Sequence, residues 1–169
     1  MTPVKSGVRF GSRDHVTVFT IPLVYNPEDF PNALIRTKAN RHPKYRYQFG
    51  ILLSSKTLQQ YAVDRQLVAA DYIRTPIFAL CAIERAILHL RTLVEHEVLL
   101  DDKHSDASLG HDHLILSLYS NYDYIYRHDK DRDQDMINTI QRELSTSESP
   151  KWYWDWANLY PDAARYGNV

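Results

Sequence analysis

Residues 76–100 are the stretch that most narrows what this chain of 169 residues can fold into. Thr75 precedes Pro76, and proline is favoured at the first helical position because its missing N–H would have no partner there. Apolar residues then recur at the i, i+3, i+4 spacing of one helix side: Ile77, Leu80, Ile83, Ile87, Leu90, Val94 and Val98. This pattern predicts a long amphipathic helix, and its apolar content predicts the central helix of the core.

Two stretches nearer the N-terminus have the β-branched and aromatic content of strands. The first is DHVTVFTIPLVY at 14–25, where Pro22 indicates an edge strand or a bulge. The second is YRYQFGILL at 45–53, where Gly50 indicates a bulge. We expect these two strands to pair antiparallel. The segment between them contains three prolines and is predicted to be a loop.

Helical spacing returns after the second strand. SSKTLQQYAVDRQLVAADYIR at 54–74 has it, with Ser54 or Ser55 as the N-terminal cap, and so does MINTIQREL at 136–144. Residues 114–126 fit a strand period or a helical period, and their length and helical neighbours favour a helix. The expected fold is therefore α-dominated α+β, with an N-terminal two-strand element packed against a bundle of about four helices.

We expect one domain over residues 1–169, with a basic N-terminal arm at 1–13 and an aromatic C-terminal tail at 150–169. Cys81 is the only cysteine, so no disulfide forms within the chain and a reducing, most simply cytoplasmic, compartment is expected. Cys81 itself is interpreted as a small core residue. No apolar stretch approaches the ~20 residues of a membrane helix, and no apolar signal-peptide region is visible, so membrane insertion is not expected.

The net charge of −1 conceals a strong polarity. Residues 1–50 carry eight Lys or Arg against three Asp or Glu, whereas residues 101–169 carry seven against thirteen. The 36–47 segment concentrates the positive charge beside two tyrosines: Arg41, Lys44, Tyr45, Arg46 and Tyr47. Such a segment fits an acidic protein surface, including another copy of this chain, or a nucleic acid whose phosphates meet the cations and whose bases stack on the tyrosines.

All three tryptophans, Trp152, Trp154 and Trp156, lie in the C-terminal tail. Large aromatic side chains anchor protein interfaces, so the tail is a candidate partner-binding segment. A tail that packs on its own domain is the alternative, and the sequence leaves both open.

Two polar stretches were tested as metal sites. In HDKDRDQDMINTI at 128–140, Asp129 is followed by an Asp at every second position, as in a calcium loop. Gln134 and Ile140 stand where such a loop needs Gly and Glu, so the stretch is interpreted as a solvated helix N-terminus. The loop DDKHSDASLGHDH at 101–113 offers the weak metal-ligand candidates His104, Asp106, His111 and His113. Their irregular spacing favours a polar loop without metal, and no cofactor is expected.

Two stretches resemble known enzyme families. Arg91 and His96, late on the 76–100 helix, resemble the catalytic pair of HEPN-type ribonucleases, which implies a role in polarising a phosphodiester and moving protons. IRTPIFALCAIERA, SNYDYIYRHDKD and WYWDWANLYPDAARYG resemble motifs of class I terpene synthases. That resemblance implies magnesium held by Asn121 and Asp129 and diphosphate sensed by Arg165 and Tyr166.

The functional hypothesis is a non-enzymatic interaction or assembly subunit. It would bind protein partners, or its own copies, through the basic 36–47 segment and the Trp-rich tail. The alternative is a small helical enzyme of either type above, or a nucleic-acid-binding protein.

Overall fold

The computed structural model of the chain describes residues 24–43, 45–94 and 113–155. The predictions for the basic arm, for most of the 14–25 strand, for residues 95–112 and for the tail beyond Asp155 lie outside these residues. Within them the chain is mixed α+β, with four α-helices and one four-stranded antiparallel sheet, so the α+β class is confirmed.

The described strands form a sheet in the order β1-β4-β2-β3, with every neighbouring pair antiparallel. They are β1 Val24–Tyr25, β2 Tyr47–Ser54, β3 His113–Ser120 and β4 Lys151–Trp154. β2 confirms the second predicted strand. The predicted pairing of the two N-terminal strands is not confirmed, because β4 lies between β1 and β2.

The helix predicted for residues 114–126 is wrong. This stretch instead contains β3 and, after a turn, the short helix α3 Tyr124–Arg127. β3 runs alongside β2 for its whole length, and the register shifts where Phe49 pairs with Tyr119 but Gly50 pairs with Ser117. A side chain at Gly50 would overlap the carbonyl oxygen of Leu116, so glycine permits the two backbones to approach at this bulge.

Three longer helices surround the sheet: α1 Ser55–Asp64, α2 Pro76–Leu93 and α4 Lys130–Leu144. Side-chain hydrogen bonds to the first helical turn mark where two of these helices begin. The side chain of Ser54 accepts a hydrogen bond from the Thr57 N–H at 3.1 Å, which confirms Ser54 as a cap, and Asp129 accepts one from the Arg132 N–H at 3.1 Å. α4 therefore begins six residues before the predicted Met136.

One apolar core joins the sheet to these helices. Its aromatic part is centred on β2, β3 and β4. Phe49 of β2 stacks on Tyr119 of β3 with ring centroids 5.0 Å apart, and Trp152 of β4 stacks on Phe30 at 4.2 Å. Phe30 belongs to the proline-rich segment between β1 and β2, so this segment is held against the sheet by aromatic contacts. α1 contributes Leu58, Tyr61 and Ala62 to the same core.

Candidate functional site

α2 is apolar on two opposite sides, and only one of them faces the core. The buried side consists of Ala82, Ile83, Ala86, Ile87 and Leu90, and it packs against α1. On the other side Ile77 is 71% exposed, Leu80 is 64% exposed and Leu88 is 50% exposed. Because residues at i, i+3/i+4, i+7 and i+11 share a helix side, we define the α2 outer face as Ile77, Leu80, Cys81, Glu84 and Leu88.

The exposed apolar surface of the described residues concentrates on this helix. Five of the nine large apolar side chains that are exposed there belong to α2. At the N-terminal end of the face, Phe78 stacks on Tyr72 at 4.6 Å, and both rings remain exposed. Contiguous apolar surface of this kind on a folded domain marks a binding site more often than scattered single residues do.

The outer face stays open because α1 packs against the other side of α2. α1 has 10 residues and α2 has 18, so α1 is about 15 Å long and α2 about 27 Å. Tyr61, late in α1, contacts His89 in the C-terminal half of α2. The N-terminal half of α2 is contacted by the short 3-10 turn Tyr72–Arg74, which leaves Ile77 and Leu80 uncovered.

Glu84 and Arg85 are the exposed charges in the middle of α2. Neither makes an ion pair with another residue in the described part of the chain. Glu84 lies within the α2 outer face, whereas Arg85 flanks it, so the apolar face contains one negative charge.

A second polar cluster holds the N-terminal end of α4. The carboxylate of Asp133 is buried, and its Oδ2 accepts a hydrogen bond from the Tyr119 hydroxyl at 2.9 Å and contacts Nδ1 of His128 at 2.7 Å. The His128 ring stacks on Tyr124 with centroids 4.4 Å apart. Burial, followed by the nearby Asp133 charge, raises the pKa of Tyr119 above its ordinary value, so this hydroxyl stays protonated and can donate.

A carboxylate that orients a histidine through Nδ1 is an arrangement that general-base catalysis uses. A cavity of about 530 Å³ lies elsewhere, between the turn after β1 and the linker before β4. It is lined by residues 26–28 and 147–151, none of which belongs to the cluster. The hydrogen bonds of the cluster connect β3, α4 and the end of α3, so we interpret Tyr119, His128 and Asp133 as a brace between these elements.

A third cluster braces the other end of α4. The Tyr61 hydroxyl contacts Nδ1 of His89 at 2.8 Å and donates to Glu143 at 3.3 Å, while Arg65 pairs with the same carboxylate. Burial and the Glu143 charge raise the pKa of Tyr61 to about 12. α1, α2 and α4 are thus joined through one tyrosine.

The basic 36–47 segment is largely engaged within the chain. Tyr47 is buried in β2, Tyr45 is half-buried against the core, and Arg46 pairs with the buried carboxylate of Asp155 at 3.2 Å. Arg41 is exposed, and Lys44 lies outside the described residues. Three cations were predicted to bind a partner there, namely Arg41, Lys44 and Arg46. Of the two that the structure describes, Arg41 is the exposed one.

The described tryptophans also lie inside. Trp152 and Trp154 belong to β4 and are 3% and 9% exposed, which favours the alternative in which this part of the tail packs on its own domain. Trp156 lies outside the described residues. Packing within the sheet therefore accounts for two of the three tryptophans proposed for a partner.

Of the candidate residues for the HEPN-type pair and for the metal site, the structure describes Arg91 and His113. Arg91 lies near the end of α2, and His113 begins β3 with a buried Nδ1 that has no hydrogen-bond partner. The other members of these sets, His96, His104, Asp106 and His111, lie outside the described residues. Among the described residues no three His, Cys, Asp or Glu side chains are grouped as a metal site would require.

The terpene-synthase resemblance assigns Asn121 to magnesium, but its side chain is fully committed to the backbone. Oδ1 accepts from the Tyr47 N–H at 2.8 Å, and Nδ2 donates to the carbonyls of Leu34 at 2.5 Å and Tyr45 at 2.9 Å. Asp129 caps α4, and the hydrogen bond from the Arg132 backbone lowers its pKa. These contacts give both residues structural roles.

No described helix combines the length and the apolarity that crossing a membrane requires. Comparison of the chain with protein-family models, with curated proteins and with solved structures finds no match in any of the three.

The α2 outer face was not anticipated from the sequence, which assigned Ile77 and Leu80 to the core. Ile83, Ile87, Leu90 and Val94 are buried as expected. Ala82 and Ala86 carry the signal that was missed, because small residues four apart permit close packing and indicate the side of α2 that is buried.

Proposed function

We propose that this chain is a non-enzymatic interaction subunit that binds a protein partner through the α2 outer face. The observation that carries the proposal is the second apolar side of α2, on which Ile77, Leu80 and Leu88 are half or more exposed. The expected partner presents an apolar helical ridge, because anchors spaced along one helix side fit a groove or ridge of the same pitch.

The energetic argument is that these side chains contribute little to folding but can contribute to association. Apolar surface removed from water is worth about 25 cal/mol per Å², whether folding or binding removes it. Leu80 and Leu88 stay largely in water in the folded chain, so their apolar surface remains available for a contact with another protein.

The basic segment is a secondary contact in this proposal. Arg41 is exposed, and together with Lys44 it would extend the interaction toward an acidic surface of the partner. Exposed cations act mainly on the association rate and on specificity, whereas buried apolar anchors set the dissociation rate.

The test is site-specific photo-cross-linking in cells that make the chain. A benzophenone amino acid replaces Leu80 on the face, and in the control it replaces Gln60, which is exposed on α1. We expect a cross-linked protein adduct from position 80 that is much stronger than from position 60. The adduct should disappear when Leu88→Glu is introduced into the same chain. Equal adducts at the two positions, or an adduct that Leu88→Glu leaves unchanged, would contradict the proposal.

A further inference from the structure

Residues 36–42 form a surface loop that carries three cations, and we call it the cationic loop. Lys38 and Arg41 are exposed, and Arg36 is partly buried. None of the three makes an ion pair with another residue in the described part of the chain. The sequence contains no Asp or Glu over residues 30–63, so the positive charge of the loop is not neutralised by its neighbours along the chain.

Hydrogen bonds fix the shape of the cationic loop. The Thr37 N–H donates to the carbonyl of Asn40 at 2.9 Å, and the Asn40 N–H donates to the Thr37 hydroxyl at 2.9 Å. The Asn40 side chain donates to the carbonyl of Ala33 at 2.7 Å, and the Arg36 N–H donates to the carbonyl of Asn121 at 3.1 Å. The loop is therefore fixed to the chain just after β3, and a ligand that binds its cations has to order little additional backbone.

The burial of the nearby tyrosines favours phosphate groups over bases as the ligand of these cations. Tyr47 is buried and Tyr45 packs partly against the core, so the two tyrosines of the basic segment offer little surface for base stacking. Proteins that bind single strands combine cations with such stacking surfaces. A duplex presents one phosphate for about every 1.7 Å of its axis and keeps its bases stacked inside, so contacts to phosphates alone can hold it.

We propose that the cationic loop contacts the phosphate backbone of a nucleic-acid duplex, independently of base sequence. The inference goes beyond the proposed function, in which the same cations make only a secondary contact with a protein. Three cations provide about three phosphate contacts, so the dissociation constant should be about 100 μM near physiological salt, at the weak end of non-specific binding.

The binding can be measured on the full chain by fluorescence anisotropy with labelled DNA and RNA duplexes of about 20 base pairs, between about 50 and 200 mM salt. Three phosphate contacts predict a slope of about −2.7 for the logarithm of the affinity against the logarithm of the salt concentration, which is about a 40-fold loss over this range. Because phosphate contacts carry no sequence information, duplexes of unrelated sequence should bind within about twofold of one another.

Two variants that lose the same charge separate the loop from the rest of the surface. The loop variant combines Lys38→Gln with Arg41→Gln, and the control variant combines Lys56→Gln with Lys130→Gln, two exposed cations outside the loop. At about 50 mM salt the loop variant should bind at least about tenfold more weakly and its salt slope should shrink by about 1.8, whereas the control should stay within about twofold of the unchanged chain. Melting temperatures verify that both variants are folded.

A labelled peptide of about 20 glutamates distinguishes a nucleic acid from an acidic protein surface. Its charges are about 3.3 Å or more apart along the chain, twice the spacing along a duplex, so the duplex should bind at least about tenfold more tightly at equal salt. A peptide that binds as tightly as the duplex would overturn the proposal and assign the loop to an acidic protein. So would a duplex that does not bind at about 50 mM salt, or a loop variant that binds as tightly as its control.

Discussion

Asn121 offers the sharpest test of how the polar interior holds the fold. Its side chain is completely buried at the end of β3 and bonds three backbone groups, namely the Tyr47 N–H and the carbonyls of Leu34 and Tyr45. Its own backbone also pairs with Tyr47 and Arg36. One residue therefore fastens the proline-rich segment before β2 to the opposite strand.

The cost of Asn121→Ala can be worked out from these bonds. The Tyr47 N–H is buried and would lose its partner, at about 2 kcal/mol, while the two carbonyls are partly buried and would cost about 1 kcal/mol each because water can reach them. The expected loss in unfolding free energy is about 4 kcal/mol. For a chain of this size that corresponds to about 8–16 °C in melting temperature.

Thermal and urea unfolding, followed by circular dichroism, measure this change. Asn138→Ala is the matched control, since Asn138 lies exposed on α4 with one hydrogen bond from Gln134, and its removal should change stability by at most about 0.5 kcal/mol. A melting temperature lowered by less than about 3 °C in Asn121→Ala would refute the reasoning, because the three backbone groups would then be satisfied without the side chain.

Three further predictions concern α2, the bulge and the buried tyrosine. Leu90→Ala should cost about 3–5 kcal/mol of unfolding free energy, whereas Leu80→Ala should cost less than about 0.5 kcal/mol; equal losses in urea titrations would place both residues in the core. Gly50→Ala should lower the unfolding free energy by about 1–3 kcal/mol, because the new methyl group overlaps the backbone of Leu116. An unchanged urea midpoint would contradict the close approach of the β2 and β3 backbones at Gly50. The raised pKa of Tyr119 means that the unfolded chain loses this proton at a lower pH than the folded chain, so stability should fall as pH rises above about 10. Tyr119→Phe should make that fall less steep by up to about 1.4 kcal/mol per pH unit, and identical slopes in the two proteins would count against a buried neutral hydroxyl.

The elements that were predicted correctly can be identified from residues close together in the sequence. Ser54 supplies a cap for α1, Pro76 begins α2, and the aromatic and β-branched run of β2 needs no distant partner to be identified. β3 is different, because six consecutive residues from Ile115 to Ser120 are buried and the alternation that distinguishes a strand is lost. Its conformation is decided by pairing with β2, whose partner residues lie 59 to 72 positions earlier in the sequence. The role of Asn121 is equally non-local, since its partners lie 74, 76 and 87 residues away.

The burial of α2 likewise depends on contacts that the local sequence does not reveal. Its sequence contains two apolar stripes, one through Ile83, Ile87 and Leu90 and one through Ile77, Leu80 and Leu88, and local periodicity cannot decide which of them is buried. The packing of the rest of the domain decides it, because the side of α2 that carries Ala82, Ile83 and Ile87 is the side that the core buries. The exposed stripe contributes little to the stability of the folded chain. A surface that folding does not bury and that still carries three large aliphatic residues is the reason why we propose partner binding at α2, rather than at the basic segment or at Trp152 and Trp154, which the sheet buries.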